Sequence, residues 1–245
     1  MTLENDKVGV YLIFPTTIYT ARLNDYKKFN KIILDNIDPY NFETFDSSVP
    51  DGYRMTGEHI GKINMHHNSL FEEFFKVISE HAKTYVSVLG MRDEVFDYYI
   101  TKTWLSIIDK PGQHMNYHIH SNSEISFIYY LEVPENPDCI SFKNKNRPNE
   151  LFSGMMDDTR PEIHHTFFKE RNDSNFNSFF IPPQEGLLVM WPGNLPHGTV
   201  QNPHFKELQK GRRCGISGDF NLVIKPGYDF FEAGRINLEH MRKFN

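Results

Sequence analysis

The sequence predicts a mainly β protein, a double-stranded β-helix (jelly roll) preceded by an N-terminal α-helical region that packs on its sheet. Three observations support this fold class. The 245 residues suit one large domain. Apolar residues at helical spacing occur within residues 1–95. From Phe96 onward, about eight short β-rich segments alternate with turn residues, a pattern typical of a jelly roll.

The N-terminal region predicts one strand and two helices. Val8–Ala21 is apolar and β-branched, which favours a strand. Asn24–Ile37 carries apolar residues at helical spacing. The segment Ser69-Leu-Phe-Glu72 matches a capping box and predicts the start of the longest helix, which should end near Gly90. The apolar stripe expected to bury that helix is Leu70, Phe74, Val77, Ile78, Ala82, Tyr85 and Leu89.

Residues 96–228 predict the jelly-roll core. Its expected strands are Tyr98–Ile108, Tyr117–His120, Glu124–Val133, Cys139–Phe142, Phe179–Pro182, Gly186–Trp191, Gly198–Val200 and Cys214–Ile224. The polar, weakly periodic residues 147–177 predict a flap over the site. We therefore expect a single domain over 1–245, with a helical prologue at 1–95, the core at 96–228 and a C-terminal tail at 229–245.

Composition excludes several classes of partner. The formal net charge of −6 disfavours nucleic-acid binding, which needs a basic surface. The sequence has no run of 18 apolar residues and no signal-peptide core, so we expect neither a membrane span nor secretion. Two cysteines give no disulfide framework, and a reduced cytoplasmic protein is expected. A homo-oligomer is compatible with the sequence, but no feature indicates one.

Three histidines have the spacing of a metal site. His118 and His120 lie two residues apart on a predicted strand, and such residues point to the same face. His197 follows the hydrophobic segment that ends Trp191-Pro-Gly-Asn-Leu-Pro, where a bend would hold its ring at the mouth of a barrel. Neutral imidazole binds iron, zinc, copper and nickel. The sequence therefore predicts a three-histidine metal centre that leaves positions open for reaction.

An arginine near the end of the core could bind an anion beside that metal. Arg213 opens the last predicted strand, and its guanidinium could bind a carboxylate through two hydrogen bonds. Arg212 competes for this role, but strand alternation places the two side chains on opposite faces. We predict that Arg213 is the one pointing inward.

These segments resemble the iron(II)- and 2-oxoglutarate-dependent oxygenases, in particular bacterial and phage members with the pattern His-x-His followed by Ile-Ser-Gly-x-Tyr-Tyr. Here the segment reads His118-Ile-His120-Ser-Asn-Ser-Glu-Ile-Ser126-Phe-Ile-Tyr-Tyr130. The likeness includes Tyr11–Tyr19, Thr103–Ser106, Gly186–His197 and Arg213–Asp219. In this chain His120 occupies the position where the superfamily usually has a carboxylate ligand, so the resemblance implies an unusually positive ferrous site.

The resemblance implies a dioxygenase that uses iron(II), 2-oxoglutarate and O2, hydroxylates a small-molecule or amino-acid-like substrate, and releases succinate and CO2. His118, His120 and His197 would hold the iron. Arg213 would bind the far carboxylate of 2-oxoglutarate, assisted by a hydroxyl from Ser106 or Thr199. Strand position suggests four substrate-pocket residues, namely Trp104, His114, Asn116 and Glu124.

Two other interpretations remain open. The chain also resembles the cupins, since Gly112, His118, His120 and Glu124 fit most of the first cupin motif and Gly186, Pro192 and His197 fit much of the second. Glu124 would then be a fourth metal ligand, in a dioxygenase or isomerase that does not use 2-oxoglutarate. The third interpretation is a non-catalytic binding module that holds a metal, although a structural zinc site would require four protein ligands.

Overall fold

A computed structural model describes residues 15–36, 42–44, 54–56, 64–108, 114–144, 146, 149–156, 166–170, 172, 174–175, 177–201 and 207–228. These residues form a mainly β structure with few helices, as the sequence predicted. The α-helices are α1 (Tyr26–Leu34) and α2 (Glu72–Val88). The strands are β1 (Tyr19–Arg22), β2 (Phe42–Thr44), β3 (Arg54–Thr56), β4 (Phe96–Ile108), β5 (Ile125–Glu132), β6 (Cys139–Lys143), β7 (Ser178–Ile181), β8 (Leu187–Pro192), β9 (His197–Val200) and β10 (Arg213–Ile224).

The strands form two antiparallel sheets. The larger has the order β1-β8-β5-β10-β4-β3-β2 and the smaller the order β7-β6-β9. Strands that follow one another in the chain are often separated in the sheets; β4 and β5, for example, have β10 between them. Side chains of β5 and β8 pack against Ile140 and Phe142 of β6, so the two sheets enclose an apolar layer between them.

Strand alternation gives the large sheet two different faces. Along β5, Phe127 and Tyr129 join the cluster that contains α1 and α2, whereas Ile128 and Tyr130 face the small sheet. Along β10, Cys214, Ile216 and Phe220 likewise join the helix-side cluster. The alternate residues of β10, which include Arg213 and Asp219, therefore face the space between the sheets. We call this space the inter-sheet face.

The helices lie near their predicted positions, but the predicted cap is wrong. The backbone N–H of Leu70 donates to the side chain of Asn68, which caps a 3₁₀ turn at Ser69–Phe71, and α2 begins only at Glu72. Asn68 lies one residue before Ser69 and also has a side-chain oxygen that can cap a helix. In the structure Asn68, rather than Ser69, accepts the capping hydrogen bond. The ends of the predicted stripe are also exposed, with Leu70 at 58% and Leu89 at 42%, whereas Phe74, Ile78, Ala82 and Tyr85 between them are buried.

Most predicted strands agree with the structure to within one or two residues, with three differences. The segment predicted as strand Tyr117–His120 forms only an isolated bridge at His118. The prologue is not purely helical, because β1, β2 and β3 all join the large sheet. Within the early strand predicted over Val8–Ala21, the described strand begins at Tyr19, and residues 8–14 lie outside the described residues.

Several predicted segments fall partly or wholly outside the described residues. These are the C-terminal tail at 229–245 and much of the predicted flap at 147–177. The described parts of the flap contain only short turns and a brief helical stretch at 166–167. In the part of the chain that the structure describes, no helix combines the length and apolar character needed to cross a membrane.

Candidate metal centre

Three histidine side chains converge on one point between the sheets. His118, His120 and His197 each offer a ring nitrogen, and these nitrogens all lie within 4.8 Å of one another. The Nε2 atoms of His118 and His120 are 3.2 Å apart. The ring centroids of all three pairs are 4.4–5.2 Å apart. The structure therefore brings together the residues that the sequence predicted as one cluster.

Backbone pairing, rather than a regular strand, places the first two histidines. His118 exchanges two backbone hydrogen bonds with His197 at the start of β9, with N···O distances of 2.9 and 3.0 Å. The N–H of His120 donates to Gly193 O at 2.8 Å, and a turn follows at residues 121–122. The segment is thus tied to two separate parts of the chain, which keeps both rings on one side although the strand is absent.

Each ring has its Nδ1 beside a hydrogen-bond acceptor. Nδ1 of His118 lies 2.8 Å from Asn116 O, and Nδ1 of His197 lies 2.9 Å from Leu195 O. Nδ1 of His120 lies 2.6 Å from a carboxylate oxygen of Asp219. An acceptor at Nδ1 favours the tautomer with its proton there, which leaves Nε2 as a lone-pair donor. At His197 the indole N–H of Trp191 also donates to Nδ1, at 3.1 Å, so the assignment of the proton to Nδ1 applies to His118 and His120.

Burial keeps two of the rings neutral. His197 is 5% exposed, and burial followed by the charge of His118 lowers its pKa to about 3. Burial likewise lowers the pKa of His118 below its usual value. Metal ligands must be deprotonated, so these rings are available as ligands across the neutral pH range.

The donor set fits a metal ion. With their Nδ1 protons committed elsewhere, the Nε2 atoms of His118 and His120 turn two lone pairs toward each other at 3.2 Å. Two such lone pairs repel unless a cation binds both. Two neighbouring ligands of an ion at metal–nitrogen distances of about 2.1 Å would be separated by roughly 3 Å, which is close to the observed spacing.

A glycine fixes how closely the His120 segment approaches β8. A Cβ added at Gly193 would lie 2.2 Å from Ser123 O and 3.0 Å from His120 O. We expect Gly193→Ala to destabilise the protein by about 1–3 kcal/mol, the usual cost of overpacking, and to weaken Co(II) binding because His120 must shift. Denaturant unfolding and Co(II) titration measure the two effects.

Gly90→Ala provides the control for this prediction. Gly90 follows α2 with φ +75°, and a Cβ there would meet nothing within 4 Å. The variant should cost about 1–2 kcal/mol through left-handed backbone strain and leave Co(II) affinity unchanged. Wild-type Co(II) affinity in Gly193→Ala would show that this contact does not position His120.

The two competing arginines lie in different environments. Arg213 is 4% exposed on the inter-sheet face, where Nη1 donates to Asp138 O at 2.6 Å and the guanidinium lies 5.8 Å from the Tyr130 ring centre. Arg212 is exposed and forms two hydrogen bonds with the carboxylate of Glu132. Ser106 pairs with Gly215 on the neighbouring strand and shares a 3.1 Å hydroxyl contact with Ser217. Arg213 and Ser106 thus occupy one surface.

The other predicted residues lie around the centre with different environments. Thr199 accepts a hydrogen bond from Met115 N at 2.6 Å, so its hydroxyl supports the segment that leads into His118. The Trp104 ring lies 5.7 Å from that of His120, and its buried Nε1 has no hydrogen-bond partner among the described residues. His114 and Asn116 are exposed.

Glu124 lies outside the histidine cluster. It is exposed, and its Oε2 accepts a hydrogen bond from Leu222 N at 3.1 Å. The expected strand alternation from His120 to Glu124 fails because the turn at 121–122 interrupts it. The carboxylate that does contact the cluster is that of Asp219, joined by the hydroxyl of Ser126. Sequence reasoning missed both residues, although Asp219 shares the alternation of Arg213 along β10.

Comparison with known proteins agrees with this site. The family described as "Putative 2OG-Fe(II) oxygenase" matches residues 102–217, which include all three histidines. Comparison with curated proteins gives no significant match. Among solved structures, a prolyl-4-hydroxylase from Pseudomonas putida is 11% identical with a TM-score of 0.51, covering 84% of this chain and 92% of its own.

A second similar structure is a prolyl hydroxylase from Trichoplax adhaerens, in complex with a peptide fragment of the hypoxia inducible factor oxygen degradation domain. It is 12% identical with a TM-score of 0.51, covering 83% of this chain and 82% of its own. At this identity the likeness concerns the fold alone. Residues 102–217, which carry the three histidines, thus match the model of a family of 2-oxoglutarate- and iron(II)-dependent oxygenases, and the two prolyl hydroxylases share the fold.

Proposed function

We propose that this chain is a dioxygenase that hydroxylates a small-molecule or amino-acid-like substrate and converts 2-oxoglutarate to succinate and CO2. The observation that carries the proposal is the convergence of three imidazole nitrogens within 4.8 Å of one another. A buried arginine lies on the same inter-sheet face. We also infer that the two sheets form a double-stranded β-helix and that residues 1–245 make a single domain.

The proposed roles follow from where each group lies. His118, His120 and His197 would hold iron(II) through Nε2, leaving the remaining positions for cosubstrate and O2. Arg213 would bind the far carboxylate of 2-oxoglutarate, and Ser106 lies beside it to donate a further hydrogen bond. The metal and cosubstrate held by these residues would supply the activation of O2, with one oxygen atom going to the substrate C–H bond and the other to succinate.

Trp104 is the best-supported substrate-pocket residue of those predicted. Its indole Nε1–H is buried, and a buried donor without an acceptor is unfavourable by about 1–3 kcal/mol. The ring lies beside His120. A substrate or cosubstrate oxygen that accepted this hydrogen bond would remove the unfavourable contribution. We therefore propose that Trp104 orients a carbonyl or carboxylate near the metal.

Succinate formation tests the proposed function. Purified protein with Fe(II), 2-oxoglutarate and O2 should release succinate, and release should increase when the correct substrate is added. A panel of free amino acids, proline-containing peptides and small metabolites covers the proposed substrate class. Omission of Fe(II) or O2 should each abolish release. Metal binding without any 2-oxoglutarate turnover across the panel would instead support a non-catalytic module.

Glu124 distinguishes the proposed oxygenase from a cupin-type enzyme. Because its carboxylate is exposed and bonded to Leu222 N rather than to the cluster, we expect Glu124→Gln to retain bound metal and to reduce turnover only modestly. Metal content by elemental analysis and succinate release measure these two properties. Complete loss of metal from Glu124→Gln would mean that Glu124 is a ligand and would favour the cupin alternative.

A further inference from the structure

We propose that Asp219 is a positioning residue that supplies, from behind His120, the negative charge that the three-histidine ligand set lacks. This inference rests on the proposed metal site and extends it to a residue outside the ligand set. Asp219 lies in β10, and its contact with the histidine cluster is to Nδ1 of His120 rather than to Nε2. Its effect on the metal would pass entirely through the imidazole of His120.

The contact between the two side chains is short and buried. Oδ1 of Asp219 lies 2.6 Å from Nδ1 of His120, and their side chains are 7% and 14% exposed. The hydroxyl of Ser126 donates to the same carboxylate oxygen at 2.8 Å. Hydrogen bonds to ionised acceptors are shorter and roughly twice as strong as neutral ones. The carboxylate thus fixes the Nδ1–H tautomer of His120 and the direction of Nε2.

The position of Asp219 in β10 directs its side chain toward His120. It belongs to the residues of β10 that face the space between the sheets, and the register between β10 and β4 shifts immediately after it. Irregularities of this kind redirect side chains and occur often beside active sites. Ser126, on the neighbouring strand β5, pairs directly with Asp219. Two adjacent strands therefore deliver the acceptor and its supporting hydroxyl to His120.

The three histidines differ in the hydrogen-bond acceptor that lies beside Nδ1. His118 and His197 have backbone carbonyls there, which are neutral, whereas His120 has a carboxylate. A carboxylate in this position raises the basicity of the metal-bound imidazole. His120 stands where the related enzymes have a carboxylate ligand. The negative charge is therefore retained in this chain, but moved outward by the length of one imidazole ring.

A merely structural role for Asp219 makes different predictions. If the carboxylate only satisfied the buried Ser126 hydroxyl, its removal would lower stability without altering the metal. If it acts through His120, its removal changes the affinity for metal and the relative stability of Fe(III) and Fe(II). A nearby negative charge favours the more highly charged ion, so its loss should raise the reduction potential.

Asp219→Asn tests the proposal because the side chain keeps its shape and loses its charge. We expect Co(II) and Fe(II) affinity to fall about 10- to 100-fold, the usual effect of removing such a partner. Fe(III) affinity should fall further, and each additional tenfold raises the Fe(III)/Fe(II) potential by about 59 mV. Glu132→Gln is the matched control, since it also removes a carboxylate from a strand beside β10, but one that is bonded to Arg212 rather than to a histidine.

Metal affinity and the Fe(III)/Fe(II) potential of the variants decide whether Asp219 acts through His120. Wild-type affinity and potential in Asp219→Asn, or equal changes in Glu132→Gln, would overturn the proposal while leaving the proposed function intact. Failure of the wild-type protein to bind Fe(II) or Co(II) would instead remove the metal site and both proposals with it. Asp219→Asn should fold, which thermal unfolding checks.

A measurement on the wild-type protein keeps the proposal testable if the variant does not fold. In Zn(II)-loaded protein labelled with ¹⁵N-histidine, the Nδ1–H proton of His120 should resonate at lower field than that of His118. The reason is that its acceptor is a carboxylate, whereas the acceptor for His118 is a backbone carbonyl. Nδ1–H protons of His118 and His120 at similar field, or none on His120, would contradict the proposed role of Asp219.

Discussion

Replacing His118 or His197 with Ala is expected to abolish iron-dependent conversion of 2-oxoglutarate to succinate. Each variant removes one of three nitrogens that lie within 4.8 Å of one another. Two imidazoles alone would hold iron weakly and without a fixed orientation. The loss should be complete within detection, and iron content after anaerobic loading should fall in parallel.

The control for this experiment is another histidine of the same chain. His67 is exposed, stacks on His66 at a centroid distance of 4.1 Å, and lies outside the cluster. His67→Ala should keep both iron and turnover. Full turnover in His118→Ala or His197→Ala would count decisively against the assignment of the metal centre, and equal losses in all three variants would indicate a general effect on folding.

Replacing Arg213 with Ala is expected to raise the KM for 2-oxoglutarate about ten- to a hundred-fold. A hydrogen bond to a charged group contributes about 1.5–3 kcal/mol, which corresponds to that range. Arg213 is buried beside Tyr130, whereas Arg212 is exposed and bonded to Glu132. Arg212→Ala should therefore change KM little. Steady-state succinate formation at saturating Fe(II) gives both values.

A third variant separates charge from geometry at this position. Arg213→Lys keeps the positive charge but loses the planar pair of donors, so its KM should fall between those of wild type and Arg213→Ala. Because Arg213 also donates to Asp138 O, the unfolding free energy of each variant should be measured beside its KM. Equal KM changes in Arg212→Ala and Arg213→Ala would show that the inward-facing arginine does not bind the cosubstrate.

Alternation explains why so much of the centre could be predicted from the sequence. The period of two residues along a strand predicted the contrast between the buried Arg213 and the exposed Arg212, although the pairing of β10 with β5 shifts register between Cys214 and Gly215. The same rule failed between His120 and Glu124, where a turn replaces the strand. The rings of His118 and His120 still point to the same side. Backbone hydrogen bonds to His197 and Gly193, rather than strand alternation, hold them there. These partners are distant in the chain, so no local sequence pattern predicts them.

Other features depend on competition or on contacts between distant segments. Asn68 and Ser69 are adjacent residues that can both cap a helix, and only the three-dimensional path of the chain selects Asn68. The three-residue strands β2 and β3 are too short to produce a detectable alternation. No local sequence pattern identified Asp219 as a site residue. The reason is that its contact is with His120, which is distant in the chain.

The backbone bridge between His118 and His197 has a consequence for folding. The two residues are distant in the chain, and they tie the segment before β5 to the edge strand of the small sheet. A metal ion bound by His118 and His197 would cross-link these two segments. It would stabilise the native state because it binds the folded protein and not the unfolded chain. At a free metal concentration a hundred times Kd, this linkage amounts to about 2.7 kcal/mol. The supply of iron would thus affect the free energy of unfolding of the protein as well as its activity.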